Sequence, residues 1–186
     1  MANILVVCTA NICRSPVCES VVRDRLHQRG LNDWEVASAG TWATFGQSAS
    51  YYSIEILSEQ GLDITDHRSR PVGRDLLEWA DLILCMELGH VEALRIEFPG
   101  LADKIFTLSE MSGPGYSVYD PYGEPRPAYE AMVTEVTKLV QNGLDRMVQL
   151  AQDNEGQRNS DGGGDSVLGD FYLKRGNHCM QEFYQP

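Results

Sequence analysis

The sequence predicts an α/β domain built on a short parallel sheet, and three observations predict it. Apolar runs that read as strands alternate along the chain with segments of helical periodicity. The first run, Ile4-Leu5-Val6-Val7, is apolar at every position, as in a strand buried on both faces. It leads directly into a tight loop and a helix start, and in open parallel sheets ligands sit at such strand carboxyl ends. With 186 residues, 42% of them hydrophobic, the chain has room for one domain of ordinary size and a tail.

Asn3 to Val7 form the first strand. From Pro16 to about Arg29 the positions Val17, Val21, Val22 and Leu26 recur with helical spacing; Pro16 suits a first helical position and Gly30 a stop. Trp34 to Ser38 alternates as a second strand and ends at Ala39-Gly40-Thr41. A loop with Trp42 and Phe45 precedes a helix from Tyr51 to Gln60, which Gly61 terminates. Leu62 to Val72 is polar and turn-rich and leads to a short helix from Arg74 to Trp79. Asp81 to Met86 is the third strand. The next helix, Leu88 to Glu97, stops before Pro99, because a residue preceding proline resists helical geometry. Lys104 to Leu108 is the fourth strand. Ser109 to Pro125 is a long loop, which a compact domain keeps for a purpose. The last helix, about Ala128 to Gln152, repeats Met132, Val136, Leu139, Val140, Leu144, Met147 and Val148. Beyond it the composition shifts to Gly, Asn, Asp and Ser, so residues 153–186 are expected to be a flexible, disordered tail with an aromatic end.

A formal net charge of −12 argues against a nucleic-acid or anionic-membrane surface, which needs clustered Lys and Arg. No stretch approaches the roughly 20 apolar residues that span a bilayer, and Met1-Ala2-Asn3 leads into strand without a signal region. Five cysteines without disulfide-framework spacing suit a reducing compartment, so the chain is expected to be cytoplasmic. No Cys-x-x-Cys, His-Glu-x-x-His or EF-hand pattern occurs, and neither a metal site nor a cofactor is expected.

The stretch Cys8-Thr9-Ala10-Asn11-Ile12-Cys13-Arg14-Ser15 falls between the first strand and the first helix. Amides of a loop that closes onto a helix start point inward, and the helix dipole adds positive potential at the same spot, so this is an anion hole suited to phosphate. A cysteine at its rim is favoured as thiolate, the nucleophilic form. Arg14 offers a planar fork that grips two phosphoryl oxygens at once.

Cys-x5-Arg-Ser placed straight after the first strand, filled as C-T-A-N-I-C-R-S-P and followed downstream by Asp120-Pro121, resembles the low-molecular-weight protein tyrosine phosphatase family. The resemblance implies a four-stranded parallel sheet with helices on both faces over residues 1–152, with the phosphate-binding loop after the first strand. It implies hydrolysis of phosphotyrosine and aryl phosphates through a cysteinyl-phosphate intermediate. Cys8 attacks phosphorus, Arg14 and the amides of residues 9–15 stabilise the equatorial oxygens, and Asp120 protonates the leaving oxygen and then activates water. Asn11 tolerates a left-handed backbone and ties the loop to itself; Ser15 eases departure of the thiolate, and Ser38 and His67 match positions that brace the loop. Trp42 and Tyr122, with Ile12, form the substrate wall that favours a long phenolic phosphate over a short serine one. Cys13 matches a second loop cysteine that forms a reversible disulfide with the nucleophile. The implied partner is a phosphotyrosine-containing protein, with inorganic phosphate or other oxyanions as competitive ligands.

Relatives carry Pro-x-Pro-Arg where this chain has Ala49-Ser50-Tyr51-Tyr52. An arsenate reductase on the same fold needs further relay cysteines after the third strand, where only Cys85 lies nearby, within the strand. A phosphoarginine phosphatase tends to carry Thr where Ile12 stands, and a non-catalytic phosphate-binding module needs neither Cys8 nor Asp120.

Overall fold

The computed structural model describes residues 1–160; the rest of the expected tail lies outside the described residues. Strands β1 (Asn3–Cys8), β2 (Glu35–Gly40), β3 (Leu82–Cys85) and β4 (Ile105–Thr107) form one parallel sheet in the order β2-β1-β3-β4. The chain therefore leaves β1 to one side and later returns to the other, so the crevice of the sheet opens at the carboxyl end of β1. Cys8 lies there, opposite Gly40 of β2.

Side chains alternate across the strands, and the helices cover both faces accordingly. Ile4, Val6, Cys8, Leu82 and Leu84 pack with Val17, Val21 and Val22 of α1 (Arg14–Gln28) and with Met132, Val136, Val140 and Leu144 of α5 (Arg126–Ser160). Leu5, Val7, Ala37, Ile83 and Cys85 pack with Leu77 of α3 (Arg74–Trp79) and with Val91 and Leu94 of α4 (Leu88–Glu97). The four-stranded parallel sheet between two helical layers is the architecture the sequence implied. The remaining helix, α2 (Tyr51–Glu59), buries Ile56 and Leu57 against the first of these clusters.

Two boundaries differ from the sequence reading. Helix α1 begins at Arg14, which makes Pro16 its third residue rather than its first. An amide there still has no acceptor within the helix, so the missing N–H costs nothing. Helix α5 runs past Gln152 to Ser160, through residues read as the start of the tail. Tertiary contacts override the weak helical propensity of that stretch: Ala151 is fully buried, Asn154 Nδ2 donates to the Asp81 carbonyl at 2.8 Å, and Glu155 pairs with the amino terminus.

The long loop before α5 is pinned at its start. Ser109 Oγ donates to the Tyr116 carbonyl at 2.8 Å and accepts from the Tyr116 amide at 2.7 Å, and the Val118 amide bonds the Met86 carbonyl at 2.8 Å. These bonds fasten the approach to Asp120 to the carboxyl end of β3.

Candidate active site

The loop from Cys8 to Arg14 is held by its carbonyls. That of Cys8 accepts from the Thr41 amide (2.9 Å), Thr9 from the Trp42 amide (2.8 Å) and Ile12 from the Ser50 amide (2.8 Å). The Asn11 carbonyl meets His67 Nε2 at 2.7 Å, and that of Cys13 accepts from Ser53 Oγ at 3.1 Å. In a trans peptide the C=O and the following N–H point oppositely, so anchoring these oxygens outward turns the amides of Thr9, Ala10, Ile12, Cys13 and Arg14 toward the concave side. Inside that ring sits Cys8 Sγ, which accepts from the Asn11 amide at 3.2 Å and lies 3.0 Å from Ser15 Oγ.

Asn11 is the knot of the loop. Its φ of 57° is the left-handed turn, which Asn tolerates better than most residues. Its Nδ2 donates to Ser15 Oγ at 2.9 Å and to Ser38 Oγ at 2.8 Å, and its Oδ1 accepts the Arg70 amide at 2.9 Å. Ser38 Oγ in turn donates to Glu19 Oε2 at 2.6 Å. Burial, above all, holds the His67 pKa below its ordinary 6.5. A carbonyl can only accept, so Nε2 carries a proton and donates to the Asn11 oxygen. The end of β2 also shapes the loop, because a Cβ on Gly40 would lie 2.5 Å from the Thr9 oxygen and 2.9 Å from the Asn11 nitrogen.

Arg14 is 1% exposed yet carries two carboxylates. Nη1 pairs with Glu87 Oε1 at 2.7 Å and donates to the Val118 carbonyl at 3.0 Å; Nη2 pairs with Asp120 Oδ2 at 2.7 Å. Its Nε is buried without an acceptor among the described residues, a donor left over for a ligand oxygen. Nη2 also reaches Thr9 Oγ1 at 3.2 Å, and that hydroxyl lies 3.2 Å from both Glu87 Oε1 and His90 Nε2. Burial works to raise the Glu87 pKa, but the Arg14 guanidinium, His90 and the Thr9 hydroxyl outweigh it, so the carboxyl titrates below its ordinary range. Burial, assisted by Arg14, lowers the pKa of His90.

The structure thus brings Cys8, Thr9, Asn11, Arg14, Ser15, Ser38, His67 and Asp120 into one network. Trp42 and Tyr122 reach it by backbone anchors, Trp42 on the Thr9 carbonyl and Tyr122 on Asp120 Oδ1 at 3.2 Å, while their side chains are 85% and 69% exposed. Ile12 is half-buried against the core. Cys13 Sγ turns to Ser50 Oγ at 2.8 Å and the Tyr129 hydroxyl at 3.6 Å; burial raises the pKa of both Cys13 and Tyr129, the latter to about 12. Cys18 and Cys85 are fully buried core thiols whose pKa burial pushes far up. In the Ala49-Ser50-Tyr51-Tyr52 stretch the Ser50 amide holds the Ile12 carbonyl, and Arg126 ties α5 to α2 through ion pairs with Glu55 and, at 2.8 Å, with Glu59.

Sequence reasoning missed Glu87, His90, Glu19, Arg70 and Gly40. A signal existed for the first two: Glu87 follows the apolar run of β3, whose carboxyl end must lie beside that of a neighbouring strand, and His90 is one helical turn further. A cleft of about 540 Å³ lies behind the loop rather than over Cys8, lined by Glu19, Ser38, His67 and Arg70 among others. Among the described residues no group of three or more His, Cys, Asp or Glu side chains is placed to hold a metal ion, and no helix is long and apolar enough to cross a membrane.

Residues 3–154 match the model of the low molecular weight phosphotyrosine protein phosphatase family. The chain is 35% identical over 151 residues to a protein-arginine-phosphatase of Geobacillus stearothermophilus, covering 81% of this chain and 96% of that one. It is 36% identical over 132 residues to the low molecular weight protein-tyrosine-phosphatase Wzb of Escherichia coli strain K12, covering 71% and 86%. The crystal structure of a low molecular weight protein tyrosine phosphatase from T. tengcongensis superposes with a TM-score of 0.74 at 37% identity, covering 78% of this chain and 99% of that one.

Proposed function

The chain belongs to the low molecular weight phosphotyrosine protein phosphatase family, in which the relatives named protein-tyrosine-phosphatases are phosphoric monoester hydrolases, and from that premise we propose how its own residues hydrolyse phosphotyrosine in a protein substrate. The observation that carries the reading is the ring of inward amides around Cys8 Sγ, closed by a buried guanidinium with a free Nε.

A phosphoryl dianion entering the ring takes the amides and Arg14 Nε, and it competes with Asp120 for Nη2. The displaced carboxylate takes up a proton from solvent as it leaves the guanidinium, stands beside the leaving oxygen and supplies that proton. As the Cys8 thiolate forms the S–P bond, the P–O bond to the phenol breaks, and the departing oxygen takes that proton. Asp120 then accepts a proton from water, whose oxygen attacks phosphorus. The S–P bond breaks, the electron pair returns to sulfur, and the Ser15 hydroxyl at 3.0 Å steadies the thiolate. Charge on the equatorial oxygens is met by preorganised donors, so the reaction needs no metal or cofactor. We read Thr9, Ala10, Ile12 and Cys13 as phosphate-binding through their amides, and Trp42, Tyr122 and Ile12 as the wall against the aromatic ring. Among the described residues, four free buried thiols support a reducing compartment such as the cytoplasm. Cys13 is the resolving thiol in this reading: with peroxide as oxidant, the two sulfurs lose their protons and join, and Cys13 gives up its bonds to Ser50 and Tyr129.

Phosphoarginine is the second candidate substrate, since one of the curated relatives is named an arginine phosphatase; the bulk of Ile12 favours the aryl ester. Purified protein given p-nitrophenyl phosphate, a phosphotyrosine peptide, a phosphoarginine peptide and arsenate separates the readings. Preference for the tyrosine peptide is expected, and full activity in Cys8→Ser would refute the mechanism.

A further inference from the structure

We propose that His90 is a positioning residue for this reaction, holding the Arg14 guanidinium in place through Thr9 and Glu87. The proposal rests on the phosphatase reading and adds two groups, Glu87 and His90, that the sequence motif does not contain.

A threonine hydroxyl has one proton and two lone pairs. Thr9 Oγ1 gives its proton to Glu87 Oε1 at 3.2 Å and accepts from Arg14 Nη2 at 3.2 Å, which leaves one lone pair facing His90 Nε2 at 3.2 Å. That contact is satisfied when Nε2 carries the ring proton. Nδ1 is then the bare nitrogen, and it is buried without a partner among the described residues. With His90 neutral, the hydroxyl has one orientation, and Glu87 accepts from Thr9 while pairing with Arg14 Nη1 at 2.7 Å. The guanidinium plane is fixed from that side, and Nε remains for a phosphoryl oxygen.

A second proton, on Nδ1, changes the balance. The imidazolium would lie 3.8 Å from Glu87 Oε1 and compete with Arg14 for that carboxylate. The charged groups facing His90 are Glu87, which precedes its own helix, Arg14 from α1 and Asp120 from the acid loop. His90 is nearly buried, and the device works in its neutral form. Protonation loosens Arg14 on the acid side of the pH profile.

The test compares His90→Leu, His90→Gln, Thr9→Val and the double variant Thr9→Val/His90→Leu. Steady-state kinetics on p-nitrophenyl phosphate across the acid limb are paired with calorimetric titration of inorganic phosphate, which needs no turnover. Loss of one hydrogen bond predicts about 3- to 10-fold lower kcat and weaker phosphate binding by a similar factor in His90→Leu. His90→Gln, which keeps an N–H donor but no ionisation, is expected to retain neutral-pH activity and to lose less of it on acidification. In the Thr9→Val background, His90→Leu should add nothing further. Wild-type kcat, phosphate affinity and acid limb in His90→Leu, or losses that multiply in the double variant, overturn the proposal. Should His90→Leu fail to fold, an acid limb in His90→Gln identical to wild type overturns it instead. A wild-type protein inert toward every phosphate ester would strike the phosphatase reading, while the phosphate titrations would still test the hold on Arg14.

Discussion

Gly40→Ala adds one methyl group and touches no substrate, yet it is expected to disable the catalytic loop. The added Cβ would stand 2.5 Å from the Thr9 carbonyl oxygen, 2.9 Å from the Asn11 nitrogen and 2.9 Å from the Ala43 Cβ. An ordinary carbon to oxygen contact is about 3.3 Å, so the Thr9 peptide must move by roughly 0.8 Å, and both offending loop atoms are backbone. Thr9 is bound to Trp42 through that same carbonyl, and the Asn11 amide is the donor to Cys8 Sγ, so any relief displaces an anchor or a catalytic donor. Misplacement on this scale costs up to about 100-fold in rate, and overpacking costs about 1–3 kcal/mol of stability. The assay is kcat/KM on p-nitrophenyl phosphate together with phosphate affinity and urea unfolding. A fall in kcat/KM of roughly 10- to 100-fold is predicted. Gly143→Ala is the control: its Cβ would meet the Met111 Cβ at 2.5 Å, between α5 and the turn before the acid loop, and touches no atom of the Cys8–Arg14 loop. It should lose a comparable stability with turnover nearly intact. A Gly40→Ala enzyme with wild-type kcat/KM and phosphate affinity would refute the argument that the loop is shaped by its contact with β2.

Asp120→Ala is expected to lower kcat by about 10² to 10⁴-fold, with the deficit shrinking as the leaving phenol becomes more acidic; a deficit independent of the leaving group in a substrate series would remove the general-acid role. Asn11→Ala forfeits three side-chain hydrogen bonds and a tolerated left-handed turn, which predicts a loss of roughly 2–4 kcal/mol in urea unfolding. His67 gives a pH prediction with a definite sign. Burial places its folded pKa below the ordinary 6.5, so the unfolded chain binds the extra proton first. Its share of stability is complete above about 6.5 and is lost as pH falls from there through the folded pKa; melting temperatures against pH should show this fall, and His67→Gln should flatten it. Cys13→Ser is predicted to keep turnover and to lose recovery by thiol reductant after peroxide, which activity measurements before and after reduction will show.

How much was legible in the residues follows from how far apart the interacting groups lie. Strand, loop and helix are consecutive between Asn3 and Gln28, so the apolar run and the Cys-x5-Arg-Ser spacing were enough to place Cys8, Arg14 and the loop between them at the carboxyl end of β1. The sequence likewise placed α2 to α4 and the start of α5 within a few residues. Asp120 was found through a motif of the family and not through anything local, because nothing in a Ser-, Gly- and Pro-rich loop says which carboxylate will meet Arg14. The end of α5 was misjudged for a similar reason: residues 153–160 look polar and flexible until Asn154 finds the Asp81 carbonyl beneath the sheet.

The local sequence by itself determined that a tight loop would close onto a helix start, since dihedral preferences and the dipole of α1 act over a few residues. Only the tertiary structure decided what grips that loop. The order β2-β1-β3-β4 sets the carboxyl end of β3 beside that of β1, which delivers Glu87 to Arg14 and His90 to Thr9, and it sets Gly40 of β2 on the other side. Such contacts join residues dozens of positions apart, and their identity depends on which strands become neighbours, a choice made by burying both faces of the sheet at once.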